Sequence, residues 1–86
     1  MATVIIPAVL RPLTGGVTRV DAAGSNVHEV IDDLVRQYGQ LKNRIIDENG
    51  LRPELFIAVA GQEIFDVMQA VPDGADVNIL PAIAGG

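Results

Sequence analysis

The one long helix of this chain is predicted by residues 24–39, GSNVHEVIDDLVRQYG. Apolar residues recur there at i, i+3, i+4, i+7 and i+11, which places them on one helical face: Val27, Val30, Ile31, Leu34 and Tyr38. Asn26 can cap the first turn with Glu29 three residues later, as in a capping box, and Ser25 is the other cap candidate. Gly39 is predicted to end the helix. Because a helix with a single apolar stripe must cover a sheet, strands are expected on both sides of it in the sequence.

Two strands are predicted before the helix. Residues 3–6, Thr-Val-Ile-Ile, are all β-branched and indicate a near-continuous central strand, whose far end Pro7 weakens. Residues 14–16, Thr-Gly-Gly, are a turn signal, and a shorter strand follows over residues 17–21. Residues 3–21 are therefore predicted to form a β-hairpin.

The segment after the helix is predicted to begin with a connector, residues 40–53, that contains a short helical turn at Leu41, Ile45 and Ile46. Residues 55–60, LFIAVA, are apolar on both faces, which favours an interior strand.

The last third of the chain is predicted to form a short edge strand, a bend or single helical turn, a tight turn and a final strand, at residues 63–65, 66–70, 72–74 and 75–80. Alternation along the final strand places Val77 and Ile79 inward and Asp76, Asn78 and Leu80 outward. The element order is ββαββ, which predicts an α+β roll around one helix.

Length and composition limit the classes of function that this chain can have. A chain of 86 residues forms one domain with a modest core and little room for a buried active site. It has no cysteine, which fits a cytoplasmic protein. The net charge is −5, and the basic surface expected of a nucleic-acid-binding protein is missing. An acidic chain fits a carrier that is attracted to basic enzyme surfaces, and it fits an acidic surface that only keeps the protein soluble equally well. Residues 1–3 lack the basic start of a secretion signal, and the longest apolar run, residues 4–10, is too short to span a membrane.

The chain ends in residues 81–86, Pro-Ala-Ile-Ala-Gly-Gly. A terminal carboxylate has a pKa of about 3.3–3.7, so it is an anion that must become a mixed anhydride, for example with AMP, before it accepts sulfur or an amine. Glycine has no Cβ, so the tail is thin, and the five residues beyond Pro81 reach roughly 17 Å. The sequence thus favours a tail that enters an enzyme's active site over an ordinary frayed end.

Other chemical sites are not indicated by the sequence. His28 is the only histidine, so a zinc site of the usual type is not expected and His28 is predicted to be an exposed helix residue. Asp32 and Asp33 are adjacent on a helix and do not share a face. The sole serine, Ser25, and the sole lysine, Lys42, lack the setting of an acyl, biotin or lipoyl carrier. No nucleophile–base pair is identifiable, so the chain is predicted to be a non-catalytic carrier.

Four segments resemble the β-grasp sulfur carriers of the MoaD/ThiS type, which are relatives of ubiquitin: residues 6–16 (IPAVLRPLTGG), 59–63 (VAGQE), 72–81 (PDGADVNILP) and 84–86 (AGG). The first is similar to the CysO-like branch of these carriers. The resemblance covers the whole chain and implies a β-grasp (ubiquitin-like) roll, ββαββ, with a mixed sheet packed on one main helix. It implies a β-grasp domain at residues 1–81 and a flexible tail at residues 82–86.

The resemblance also implies a reaction cycle. An adenylating enzyme of the ubiquitin-activating type uses ATP to activate the Gly86 carboxylate, and sulfur then replaces AMP to give a thiocarboxylate, while Gly85 and Ala84 thread the enzyme's channel. In the CysO-like branch a cysteine synthase accepts the sulfur, and a zinc-dependent peptidase releases the product and regenerates the tail. The carrier itself is implied to hold no cofactor or metal.

Alternative functions remain open. Carriers that form the small subunit of molybdopterin synthase tend to have Pro-Pro before the tail, whereas Pro81 is followed by Ala82 here. A ubiquitin-like protein modifier and an interaction module with an inert tail are the other two alternatives. In relatives an apolar patch near the tail meets the activating enzyme, which makes Leu80 a docking candidate. Phe56 is a second candidate, although a core position is favoured for its side chain.

Overall fold

The computed structural model describes residues 1–82, in which a mixed five-stranded sheet packs on one α-helix. The elements, in chain order, are β1 (Ala2–Ile5), a 3₁₀ helix (Ala8–Thr14), β2 (Arg19–Ala22), α1 (Val27–Gln37), a second 3₁₀ helix (Gly39–Leu41), β3 (Ile46–Asp47), β4 (Gly50–Leu51), β5 (Leu55–Val59), β6 (Gln62–Ile64) and β7 (Asp76–Pro81). The strand order is β2-β1-β7-β5-β6, and β3 and β4 form a separate pair. The predicted roll with a mixed sheet and one main helix is confirmed.

The final strand, β7, is the central strand of the sheet. It pairs in parallel with β1, where Val4 lies opposite Val77, and antiparallel with β5, where Ile57 lies opposite Ile79. All four of these side chains are buried on the face that α1 covers. The alternation predicted for the final strand is therefore confirmed on its inner face.

The core is built on the apolar stripe of α1. Four predicted stripe residues are buried, namely Val27, Val30, Ile31 and Leu34, and Tyr38 is partly buried against them. Full burial of a side chain of this size stabilises a fold by about 1.5–3 kcal/mol, so these contacts are what hold the helix on the sheet.

The start of α1 follows the predicted capping box with one variation. The Asn26 side chain accepts a hydrogen bond from the Glu29 backbone N–H at 2.8 Å, so Asn26 is the cap. The Glu29 carboxylate reaches one residue further back and accepts from both the backbone N–H and the hydroxyl of Ser25, each at 2.8 Å. The backbone bond first, and the hydroxyl bond second, hold the pKa of Glu29 below its usual value.

The end of α1 differs from the prediction. The helix ends at Gln37, and Gly39 opens the second 3₁₀ helix without taking the left-handed conformation of a glycine cap. This 3₁₀ helix places Leu41 in the core, where its side chain is fully buried. Burial of Leu41 gives a physical reason for the chain to remain helical beyond Tyr38.

Two connections also differ from the prediction. The loop from β1 to β2 contains the 3₁₀ helix Ala8–Thr14, held at its end by the Thr14 hydroxyl, which contacts the carbonyl oxygens of Arg11 and Val17. Of the helical turn predicted at Leu41, Ile45 and Ile46, only Leu41 lies in a helical segment, and Ile46 instead begins the β3–β4 pair. The β4 residue Gly50, at φ +102°, adopts a conformation that favours glycine.

Candidate functional site

The end of β7 sets the point from which the tail departs. Pro81 is the last residue of the strand and lies opposite Leu55 of β5. One further hydrogen bond runs from the Ala82 N–H to the Glu54 carbonyl oxygen at 2.8 Å. Because β7 is the central strand, flanked by β1 and β5, the tail begins from the middle of the sheet.

The three tail residues predicted to act in sulfur transfer, Ala84, Gly85 and Gly86, lie outside the described residues. Their roles, and the flexibility of residues 82–86, therefore stay predictions. The structure does place Pro81 and Ala82, and both are exposed.

The two predicted docking residues are brought together on the outer face of the sheet. Phe56 and Leu80 lie directly opposite each other across β5 and β7, and both are partly exposed. Their neighbours along each strand, Leu55, Ile57 and Ile79, are buried on the helix side. The core position favoured for Phe56 is wrong, since the strict alternation of β5 turns its side chain away from α1.

Phe65 extends this pair and was missed as a docking candidate. It follows β6 directly, and the β5–β6 ladder, which pairs Ile57 with Ile64, brings Phe65 opposite Phe56 when it is continued by one residue. Phe65 is 86% exposed, whereas Ile64 is buried. Alternation along the predicted edge strand at residues 63–65 was the signal that could have found it. We call Leu80, Phe56 and Phe65 the apolar row.

A cleft of about 310 Å³ lies beside the start of the tail. Apolar residues of the 3₁₀ helix Ala8–Thr14 line it, together with Arg44, Arg52, Glu54 and Leu55. Arg52 contacts the Glu54 carboxylate at 2.9 Å and the Asp47 carboxylate at 3.6 Å. A backbone hydrogen bond at Glu54 and then the Arg52 side chain hold the pKa of Glu54 below its usual value.

The acidic and histidine residues of α1 have local partners. His28 Nδ1 lies 3.4 Å from Asp32 Oδ2 on the exposed side of the helix, and Asp33 accepts a hydrogen bond from the Ala23 N–H at 2.9 Å. Within residues 1–82, no group of three or more His, Cys, Asp or Glu side chains is arranged to hold a metal ion. In the same part of the chain, no helix has the length and apolar character needed to cross a membrane.

Comparison with known proteins gives consistent matches over the whole chain. The profile of the ThiS family matches residues 4–86. The sulfur carrier protein CysO of Mycobacterium tuberculosis is 38% identical over 98% of this chain and 97% of its own. A crystal structure of the Amycolatopsis orientalis BexX/CysO complex contains a chain that superposes with a TM-score of 0.91 at 36% identity, covering 100% of both chains. The M. tuberculosis CysO crystal structure superposes with a TM-score of 0.89 at 35% identity, over 96% of this chain and 100% of that one.

Proposed function

This chain belongs to the ThiS family, and we propose that it is a sulfur carrier protein of cysteine biosynthesis. The observation that carries the proposal is its 38% identity to the sulfur carrier protein CysO over nearly the full length of both chains. The chain acts as a protein co-substrate, and the chemistry is supplied by its partners. We place it in the cytoplasm, together with ATP and the enzymes that use it.

The reacting group in this proposal is the carboxylate of Gly86. A carboxylate oxygen attacks the α-phosphate of ATP on an activating enzyme, which gives an acyl-adenylate and releases pyrophosphate. A sulfide nucleophile then displaces AMP and leaves a thiocarboxylate. Ala84 and Gly85 pass through the enzyme's channel, because the lack of bulky side chains lets backbone groups approach closely.

The partners in this proposal are an adenylating enzyme of the ubiquitin-activating type, a cysteine synthase that accepts the sulfur, and a zinc-dependent peptidase that frees the product. The apolar row is the proposed docking surface for the activating enzyme. Its support is geometric: Phe56 and Leu80 lie on the strand pair that ends at Pro81, so a partner bound there is close to the tail.

Intact mass spectrometry tests the proposal. The chain, its activating enzyme, ATP and sulfide should yield a product in which one oxygen is replaced by sulfur, and addition of the cysteine synthase with its activated serine substrate should consume it. A chain lacking Gly85 and Gly86 should have an unchanged unfolding midpoint and give no product. Sulfur transfer by the truncated chain would overturn the proposal, and attachment of the chain to lysines of other proteins would instead indicate a protein modifier.

A further inference from the structure

The cleft beside the tail combines an apolar wall with cations. Val9 and Leu13 of the 3₁₀ helix Ala8–Thr14 form its apolar wall, and Leu55, Arg44 and Arg52 also line it. Val9 is 63% exposed, so the wall offers apolar surface that a ligand can cover. Burial of such surface is favourable in proportion to its area, which makes the cleft suited to a short apolar segment.

The charges in the cleft favour an anion at one end. Arg52 already has two carboxylate partners, those of Glu54 and Asp47, which lie 2.9 and 3.6 Å away, so it has no charge left for a further anion. Arg44 forms no ion pair with any of residues 1–82. The 3₁₀ helix contributes no charged side chain to the lining, so Arg44 remains as the cation that can receive an anionic group.

The chain supplies a segment of the required length at this position. The Ala82 N–H is held by the carbonyl of Glu54, and Glu54 and Leu55 both line the cleft. Residues 83–86 add roughly 13–14 Å of reach when extended. Their sequence, Ile-Ala-Gly-Gly, places one large apolar side chain first and the terminal anion last.

We propose that this cleft binds the chain's own residues 83–86, with Ile83 against the apolar wall and the Gly86 carboxylate at Arg44. The occupant is intramolecular, and an activating enzyme displaces it when it docks. For the thiocarboxylate form the inference rests on the proposed function, and bound residues would then shelter the sulfur between partners. For the carboxylate form it is independent of that function, because no partner enzyme is needed.

An NMR titration of the full chain tests the inference. The pKa of the Gly86 carboxyl group, followed through its ¹³C shift, should rise by about 0.2–0.7 units in Arg44→Gln, the range that corresponds to the loss of one exposed ion pair. Arg19→Gln is the matched control, since it removes the same charge from β2, none of whose residues lines the cleft. Equal pKa values of Gly86 in the two variants would overturn the proposal.

A second pair of variants tests the apolar wall. Val9→Ser should lower the ¹⁵N heteronuclear NOE of Gly85 and Gly86, whereas Val17→Ser, at another exposed valine outside the cleft, should not. Both valines are exposed, so both variants should fold. An NOE that stays the same in Val9→Ser, or that falls when the wild-type chain is diluted, would overturn the proposal, the latter by assigning the occupant to a second copy. Loss of the proposed sulfur chemistry would leave these NMR results unaffected.

Discussion

Phe65 exposes a large aromatic surface at the edge of the sheet. Burial of apolar surface contributes roughly 25 cal/mol per Å², so an uncovered phenylalanine forgoes stabilisation that a partner could supply. Continued by one residue, the β5–β6 ladder places Phe65 next to Phe56, which itself pairs with Leu80. Large side chains that become buried in a contact are also those that carry much of the binding energy in protein complexes.

We therefore expect Phe65→Ser to weaken binding to the activating enzyme. Loss of an aromatic residue that is buried in a contact costs about 1–2 kcal/mol, which corresponds to about a five- to thirtyfold rise in Kd. Isothermal titration calorimetry of the complex measures the change. Met68→Ser is the control: Met68 is 61% exposed, but its neighbours Val67 and Gln69 hydrogen-bond to the start of α1, which places it away from the row. Equal effects of the two substitutions would contradict the proposed docking surface.

Among the glycines of residues 1–82, Gly24 is the one at which an added Cβ would lie closest to other atoms. A Cβ there would lie 2.6 Å from the backbone nitrogen of Val30 and 2.8 Å from the carbonyl carbon of Glu29. Both atoms belong to the first turn of α1 and cannot move without disturbing the helix. Gly24→Ala should lower the free energy of unfolding by about 1–3 kcal/mol, as measured by urea denaturation.

The control for this prediction is Gly39→Ala. A Cβ added at Gly39 would meet no atom within 4 Å beyond its neighbours in the chain, and Gly39 has no positive φ. The substitution should therefore be neutral or should stabilise the fold by up to about 1 kcal/mol. If the Gly24 and Gly39 variants had the same stability, the close contact at Gly24 would not matter in solution.

Leu80 and Phe56 show when a sequence pattern predicts the face of the sheet on which a side chain lies and when it does not. The outward position of Leu80 was predictable because Val77 and Ile79 alternate with polar residues along β7. Phe56 lies in LFIAVA, which is apolar at every position, so alternation gives no face there. Only the pairing of β5 with β7 assigns its side chain to the outer face.

At the level of elements, the Asn26 cap stabilises α1 by satisfying a backbone donor of the first turn. Asn26→Ala should lower the free energy of unfolding by about 1 kcal/mol, measured by urea denaturation. Asn49→Ala is the control: its side chain is exposed and hydrogen-bonds to none of residues 1–82, so the change should stay within about 0.5 kcal/mol. A loss of similar size at both positions would argue against a capping role.

The second half of the capping box makes stability depend on pH. The folded-state pKa of Glu29 is lowered, so its contribution is present above the unfolded pKa and is lost as the pH falls through the folded value. Glu54 and Asp73 also have lowered pKa values and act in the same direction. The free energy of unfolding should therefore decrease from about pH 5 towards pH 3.

Glu29→Gln isolates the contribution of the cap to this acid dependence. The decrease in unfolding free energy between these pH values should be smaller in Glu29→Gln than in the wild type, as followed by urea denaturation across the range. Glu48→Gln, at an exposed position without a hydrogen bond to residues 1–82, should keep the wild-type slope. An unchanged slope in Glu29→Gln would show that its bonds to Ser25 do not survive in solution.

The elements that the sequence predicted well are those with a strong local pattern. The helix α1 follows from its apolar spacing and its cap, and β5 and β7 follow from apolar or alternating runs. The 3₁₀ helix Ala8–Thr14 was missed because Pro7 and Pro12 indicate a turn. Burial of Leu10 and the hydrogen bonds of the Thr14 hydroxyl instead favour a 3₁₀ helix. The β3–β4 pair was missed because each strand has only two residues, too few for any periodicity.

On the scale of the whole molecule, the parallel pairing of β1 and β7 gives the chain two poles. Both strands begin at one end of the sheet, where the Met1 amine contacts the Asp73 carboxylate and the Gly74 N–H donates to the Met1 carbonyl oxygen at 2.8 Å. Both strands end at the other pole, where Ala82 starts the tail.

The fold class was predictable from element order and resemblance. The cleft was not, because it joins Val9, Arg44 and Glu54, which are distant in sequence.

The two poles should respond differently to added residues. A tag before Met1 removes only an exposed contact with Asp73, so it should leave thiocarboxylate formation at the wild-type rate and shift the unfolding midpoint little. A single alanine after Gly86 moves the carboxylate onto a residue with a Cβ, which should obstruct close approach in the activating enzyme and reduce thiocarboxylate formation at least about a hundredfold, as expected when reacting groups are misplaced. Intact mass measured over time gives both rates. Equal rates for the two extended chains would mean that the reaction does not depend on the terminal glycine.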